Sequence, residues 1–227
     1  MTSNELKHVI DKILQQHSRS SRRLDALADV IVKELKKSGL GHLPIHGGKL
    51  GEAKVPGFAR EKNWDVAVFL PDNLEEGPPK PRLLVSLKSI MRNPTGTVPN
   101  RLDDLIGEVS SVQMLFPEVV IGYVAILDYG AVTKRGKASN VPFSSPDGMS
   151  HSEIYSKFKS SVYHLAIRKP PLWAQGLIES AWIIEIDTRK ANPLMNEKQT
   201  VIEGERFITE LVSALRHREP LLFTPYH

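Results

Sequence analysis

The sequence predicts an α/β fold in which a central mixed β-sheet is flanked by helices. Leu83–Lys88 alternates side by side in the manner of a strand, and Val119–Leu127 is a near-continuous, β-branched apolar run of the kind seen in strands covered on both faces. Apolar residues at helical spacing lie before, between and after these strands.

The first helix is expected over about residues 4–17, where Leu6, Val9, Ile10, Ile13 and Leu14 fall on one side. A basic turn, Ser18-Arg19-Ser20-Ser21-Arg22-Arg23, leads into a second helix ending near residue 37, with Leu24, Leu27, Ala28, Ile31 and Leu35 as its buried stripe. At about 100° per residue, Glu34 falls beside Leu27 and Ile31, the only carboxylate on the inner half of that helix. Glutamate is seldom buried unless paired or bound to metal, so Glu34 is a candidate site residue.

Gly39, Gly41, Gly47, Gly48 and Gly51 predict a loop, made basic by Lys49, Lys54, Arg60 and Lys62 and suited to face phosphate. No glycine-rich pattern ends in Lys-Ser or Lys-Thr, which excludes a nucleotide-binding P-loop, and His42 and His46 lack the companions of a zinc site.

Two strands follow, Trp64–Leu70 and Leu83–Lys88, joined by a Pro- and Gly-rich turn. Alternation sends Leu83, Val85 and Leu87 to one side of the second strand, and Ser86 and Lys88 to the other. Beyond a loop over Arg92–Arg101, a helix over about 102–116 buries Leu102, Leu105, Ile106, Val109, Val112 and Phe116. Glu108 sits at the edge of that apolar face and Gln113 near its middle, whereas Asp103 and Asp104 point further out.

After the apolar strand, a polar insertion is expected over about 128–152. It precedes a helix from Ser152 to Ala166, a break at Pro170-Pro171, a strand over Ala181–Asp187 and a last helix near Glu205–Arg216. Nothing resembles a linker, so residues 1–227 read as one domain.

Composition narrows the function classes. No apolar run approaches the ~20 residues of a membrane span, and the N-terminus lacks the basic and apolar regions of a secretory signal, so a cytoplasmic protein is expected. The absence of cysteine excludes disulfides, thiol catalysis and cysteine-ligated zinc. A net charge of +4 permits a polyanionic partner.

The chemistry-bearing residues are Asp65, at the start of one strand, and Lys88, at the end of the next. Phosphodiester hydrolysis needs a nucleophilic water, charge neutralisation at phosphorus and help for the leaving oxygen, which Mg²⁺ held by carboxylates can supply. Mg²⁺ takes only one or two protein carboxylates, and a nearby lysine can orient the water and stabilise developing charge. Each residue also has an ordinary use: Asp65 could cap the hairpin, and Lys88 could snorkel at a strand end.

The order of helix with inward Glu34, strand with Asp65, strand ending in Ser86-Leu87-Lys88, and helix resembles the PD-(D/E)xK nuclease superfamily, in particular type II restriction endonucleases, over roughly Leu24 to Asp128. By that resemblance Asp65 is a metal ligand, Lys88 the catalytic lysine and Glu34 an accessory acid. Trp64 stands where the family has proline, and Ser86 stands where it has its second carboxylate. Some restriction enzymes of this superfamily carry Ser-x-Lys with the acid relocated to the following helix, and Glu108 resembles that substitute as a second metal ligand. The resemblance implies Mg²⁺-dependent cleavage of double-stranded DNA by a homodimer, since two-fold symmetry matches palindromic DNA. Arg92, Asn100, Arg101, Lys134, Arg135, Lys137 and Asn140 are the residue types expected to contact phosphates and base edges. A structure-specific repair or recombination nuclease of the same fold and an inactive DNA-binding module are the alternatives.

Overall fold

The computed structural model describes residues 1–16, 20, 22–71, 79–131, 150–166 and 178–223. Its centre is a five-stranded mixed sheet in the order β1 (Ile45–Gly47), β4 (Val66–Phe69), β5 (Pro81–Ile90), β6 (Val120–Asp128) and β7 (Ser180–Ile186). β1, β4 and β5 pair antiparallel, whereas β5, β6 and β7 run parallel. Two further strands, β2 (Ala53–Val55) and β3 (Lys62–Trp64), form a separate antiparallel ribbon.

Strand alternation divides the core into two layers. Val66, Val68, Leu83, Val85, Leu87, Val124 and Ile126 pack under α1 (Ser3–Gln15), α2 (Asp25–Leu35) and α5 (Glu197–Arg218). Ala67, Phe69, Leu84, Tyr123 and Ala125 pack against α3 (Pro94–Gln113), α4 (His151–Ser160) and the β2–β3 ribbon. Leu87 and Ser86 therefore look to opposite layers, and the side that carries Ser86 and Lys88 is the one covered by α3. All nine residues of β6 are buried, as expected of a strand with neighbours on both edges and helices on both faces.

α1 begins with a capping box in which Thr2 and Glu5 satisfy each other's backbone N–H groups, and its buried residues are Leu6, Val9, Ile10 and Ile13. Among the described residues no helix is long and apolar enough to cross a membrane.

Several expectations change. The segment read as a loop because of its glycines contains β1, β2 and β3, each three residues long and too short for a periodic signal. The strand expected over Trp64–Leu70 is two strands in two sheets, parted at Asp65. The loop expected over Arg92–Arg101 is largely helix: α3 starts with Pro94 at its first position, where the missing N–H costs nothing, and continues through Pro99. Ile106 is 54% exposed, because it lies one position round the helix from the buried stripe of Leu105, Val109 and Val112. The last helix begins at Glu197 and passes through Gly204, where a Cβ would sit 2.7 Å from the Trp182 ring. That glycine permits close helix–sheet approach and does not end the helix. Residues 132–149 lie outside the described residues, and with them Lys134, Arg135, Lys137 and Asn140.

Gly122 performs the same service in β6, where a Cβ would meet Phe207 Cζ at 2.7 Å and Leu211 Cδ1 at 2.8 Å. Gly122→Val should therefore overpack the α5 seat and lower stability by about 1–3 kcal/mol. Urea unfolding checks this, and an unchanged midpoint would mean that α5 does not rest on β6 at this point.

Candidate active site

Asp65 is the residue at which the chain leaves the main sheet. Val66 pairs with Val85, and one residue earlier, where the ladder would continue, the Asp65 carboxylate accepts the Leu87 N–H at 2.7 Å. The side chain replaces a backbone partner there and frees β3 to pair with β2 over α3. Burial pushes the Asp65 carboxyl above its ordinary range, opposed by the Leu87 N–H and by the Lys88 ammonium.

Lys88 projects from β5 toward α3. Its Nζ lies 3.2 Å from Glu108 Oε2, with the two side chains 14% and 10% exposed. Burial lowers the affinity of the Lys88 ammonium for its proton, and Asp65 opposes that shift. Lys88 thus faces carboxylates from two elements. Glu52, exposed just before β2, adds negative potential at both Asp65 and Lys88.

Glu108 has a second cation. Lys62, on β3, contacts its Oε1, so both oxygens of this carboxylate meet an ammonium group. On this side a cleft of about 320 Å³ opens between the ribbon and α3, lined by Arg60, Lys62, Asp103, Asp104 and Glu108 among others. Asp65 and Lys88 do not line it. Glu108 is therefore the junction between the cleft and the buried Asp65–Lys88 pair.

The expected residues divide accordingly. Asp65, Lys88 and Glu108 gather, and Ser86 is buried beside them on the same face of β5. Glu34 does not join them: it lies 3.3 Å from the N-terminal amine and 2.8 Å from Lys37. Its inward position on α2 is explained by these partners on the opposite layer. Arg101 and Asp104 form an i,i+3 pair at 2.6 Å that leaves both side chains partly exposed, and Arg92 and Asn100 are exposed.

Glu52 was absent from the expected site, and Lys62 was expected only as part of a basic, phosphate-facing loop, not beside Glu108. Lys62 had a legible signal: it stands two residues before Trp64, and extended chain puts both side chains on one side. Glu52, flanked by a glycine and a short strand, had none.

Among the described residues no group of three or more acidic or histidine side chains comes close enough together to hold a metal ion. The available donors are the carboxylate oxygens of Asp65 and of Glu108. Their chemistry fits Mg²⁺, a hard cation that retains waters and needs only one or two such ligands. No protein-family model matches the chain, and no curated protein gives a significant sequence match.

Asp65 carries a structural duty separable from any catalytic one. Asp65→Ala should strand the Leu87 N–H and cost about 1–3 kcal/mol, whereas Asp65→Asn retains an acceptor oxygen and should cost clearly less. Equal losses in chemical denaturation would show that the hydrogen bond does not hold this junction.

Proposed function

We propose that the protein is a Mg²⁺-dependent nuclease acting on double-stranded DNA, built on a restriction-endonuclease-like fold and working as a homodimeric type II site-specific enzyme. One observation carries the reading: the Lys88 ammonium lies 3.2 Å from Glu108, the acid that stands in for the carboxylate absent at Ser86. The chain order supports it too, since the Asp65 strand, the Lys88 strand, the Glu108 helix and the next parallel strand follow one another without interruption.

Asp65 and Glu108 would hold the ion, which would neutralise charge at phosphorus and make a bound water acidic. The remaining work falls to the side chains. Lys88, held by Glu108, orients the attacking water and offsets negative charge as it develops on the phosphoryl oxygens. Burial keeps its ammonium poorly solvated, which strengthens its field at a phosphate. Ser86 supplies no charge and contributes packing. Arg60 and Lys62 at the cleft, and the exposed Arg92 and Asn100, are the groups available to phosphates and base edges.

Incubating mixed DNA with the protein in Mg²⁺ and in EDTA tests the reading. Cleavage should require Mg²⁺ and yield discrete fragments, whereas cleavage confined to branched or flapped DNA would indicate a structure-specific nuclease. Lys88→Ala and Glu108→Gln should each slow cutting by at least roughly a hundredfold, the scale of a lost acid–base or charge-stabilising group, while Ser86→Ala stays near wild type. Full cutting by Lys88→Ala, or none by the wild type on any DNA, would overturn the proposal.

A further inference from the structure

The cleft holds a cation that the nuclease chemistry does not use. Lys62 and Lys88 approach Glu108 from different strands, Lys62 touching Oε1 from the cleft and Lys88 reaching Oε2 from the sheet. The two lysines are not equivalent. Lys88 is 14% exposed and also feels the negative charge of Asp65, whereas Lys62 is 27% exposed and lines the opening. Removing Lys62 therefore leaves Glu108 paired, and removing Lys88 leaves Asp65 buried without its cation.

Charge counting gives this pairing a role. Asp65 and Glu108 carry two negative charges, and Lys62 and Lys88 carry two positive ones, so the set is balanced without any metal. A divalent ion bound to Glu108 would share that carboxylate with an ammonium already in contact with it, and the repulsion acts in a half-buried site where water screens poorly. Lys62 has to leave. Of the two other acids that line its cleft, Asp104 already holds Arg101 at 2.6 Å and Asp103 is exposed to water. At the cleft mouth a DNA backbone phosphate, the anion that the proposed substrate supplies, can receive the displaced ammonium.

We propose that Lys62 is a tethered counter-cation that competes with the divalent ion for Glu108 and passes to a backbone phosphate of the DNA when the ion binds. The inference rests on the nuclease reading, and it adds that metal and DNA bind cooperatively through this one side chain. Because coupling is reciprocal, DNA strengthens metal binding by the factor by which metal strengthens DNA binding.

The test measures Mn²⁺ affinity by titration calorimetry, without DNA and with a duplex resistant to cleavage, for the wild type, Lys62→Met, Lys62→Gln and Lys62→Arg. Without DNA, Lys62→Met and Lys62→Gln should bind Mn²⁺ on the order of tenfold more tightly than the wild type, within the usual range of coupling. Lys62→Arg, which keeps the charge, should stay near wild type. With the duplex present the wild type should gain Mn²⁺ affinity and the neutral variants should gain much less. Their DNA affinity in Ca²⁺ should also show a salt slope shallower by about one phosphate contact. Unchanged Mn²⁺ affinity in both neutral variants, or equal tightening in Lys62→Arg, overturns the exchange while leaving the nuclease reading intact. No Mn²⁺ binding by the wild type would overturn both.

Discussion

The hydrogen bond from the Leu87 N–H to the Asp65 carboxylate is the constraint on which the rest of this region depends. It ends the β4–β5 ladder with a side chain in place of a backbone partner, and so lets the chain turn out of the main sheet. β3 consequently pairs with β2 and stands over α3. That displacement creates the cleft and brings Lys62 to Glu108. An aspartate that also served a metal would thus be fixed in position by the fold itself, with one oxygen oriented by a buried N–H.

Burying a carboxylate and a lysine is costly unless each finds a partner, because desolvation of either ion amounts to several kcal/mol. Here the costs are shared along a chain of groups: Asp65 faces Lys88, Lys88 faces Glu108 and Glu108 faces Lys62. Each member moderates the exposure of its neighbour's charge. The arrangement holds the ions in a definite order from the sheet to the cleft, and its more exposed end, Lys62, lines the opening.

How much of this was legible in the sequence depended on the range of the interaction. Alternation in β5 placed Ser86 and Lys88 on one side, and helical periodicity turned Glu108 toward the sheet, since both follow from local geometry. β6 announced itself through an unbroken run of apolar residues. The three short strands before Asp65 did not, because strands of three residues have no period to detect and owe their pairing to distant partners. Glu34 misled for a related reason: its inward angle on α2 is real, but its partner is the N-terminal amine, remote in sequence. The first turns of α3 and α5 lie outside the helices expected from periodicity. Pro94 occupies the one turn where proline is harmless, and Gly204 is a packing requirement set by Trp182.

The serine at position 86 is the point where sequence pattern and geometry bear on each other most directly. The β4–β5 register sets Val66 against Val85, and its continuation sets Asp65 against Ser86. Ser86 is 4% exposed. A carboxylate there would oppose Asp65 across the strands in a buried position, and like charges so placed are destabilising. Glu108 stands on α3, where it meets Lys88 and does not face Asp65 across the strands. The helix also brings its carboxylate to the edge of the cleft, within reach of Lys62, which a residue on the strand beneath could not achieve. A carboxylate on α3 thus avoids that buried repulsion and forms an ion pair with Lys62 at the opening, where the backbone departure at Asp65 has placed β3.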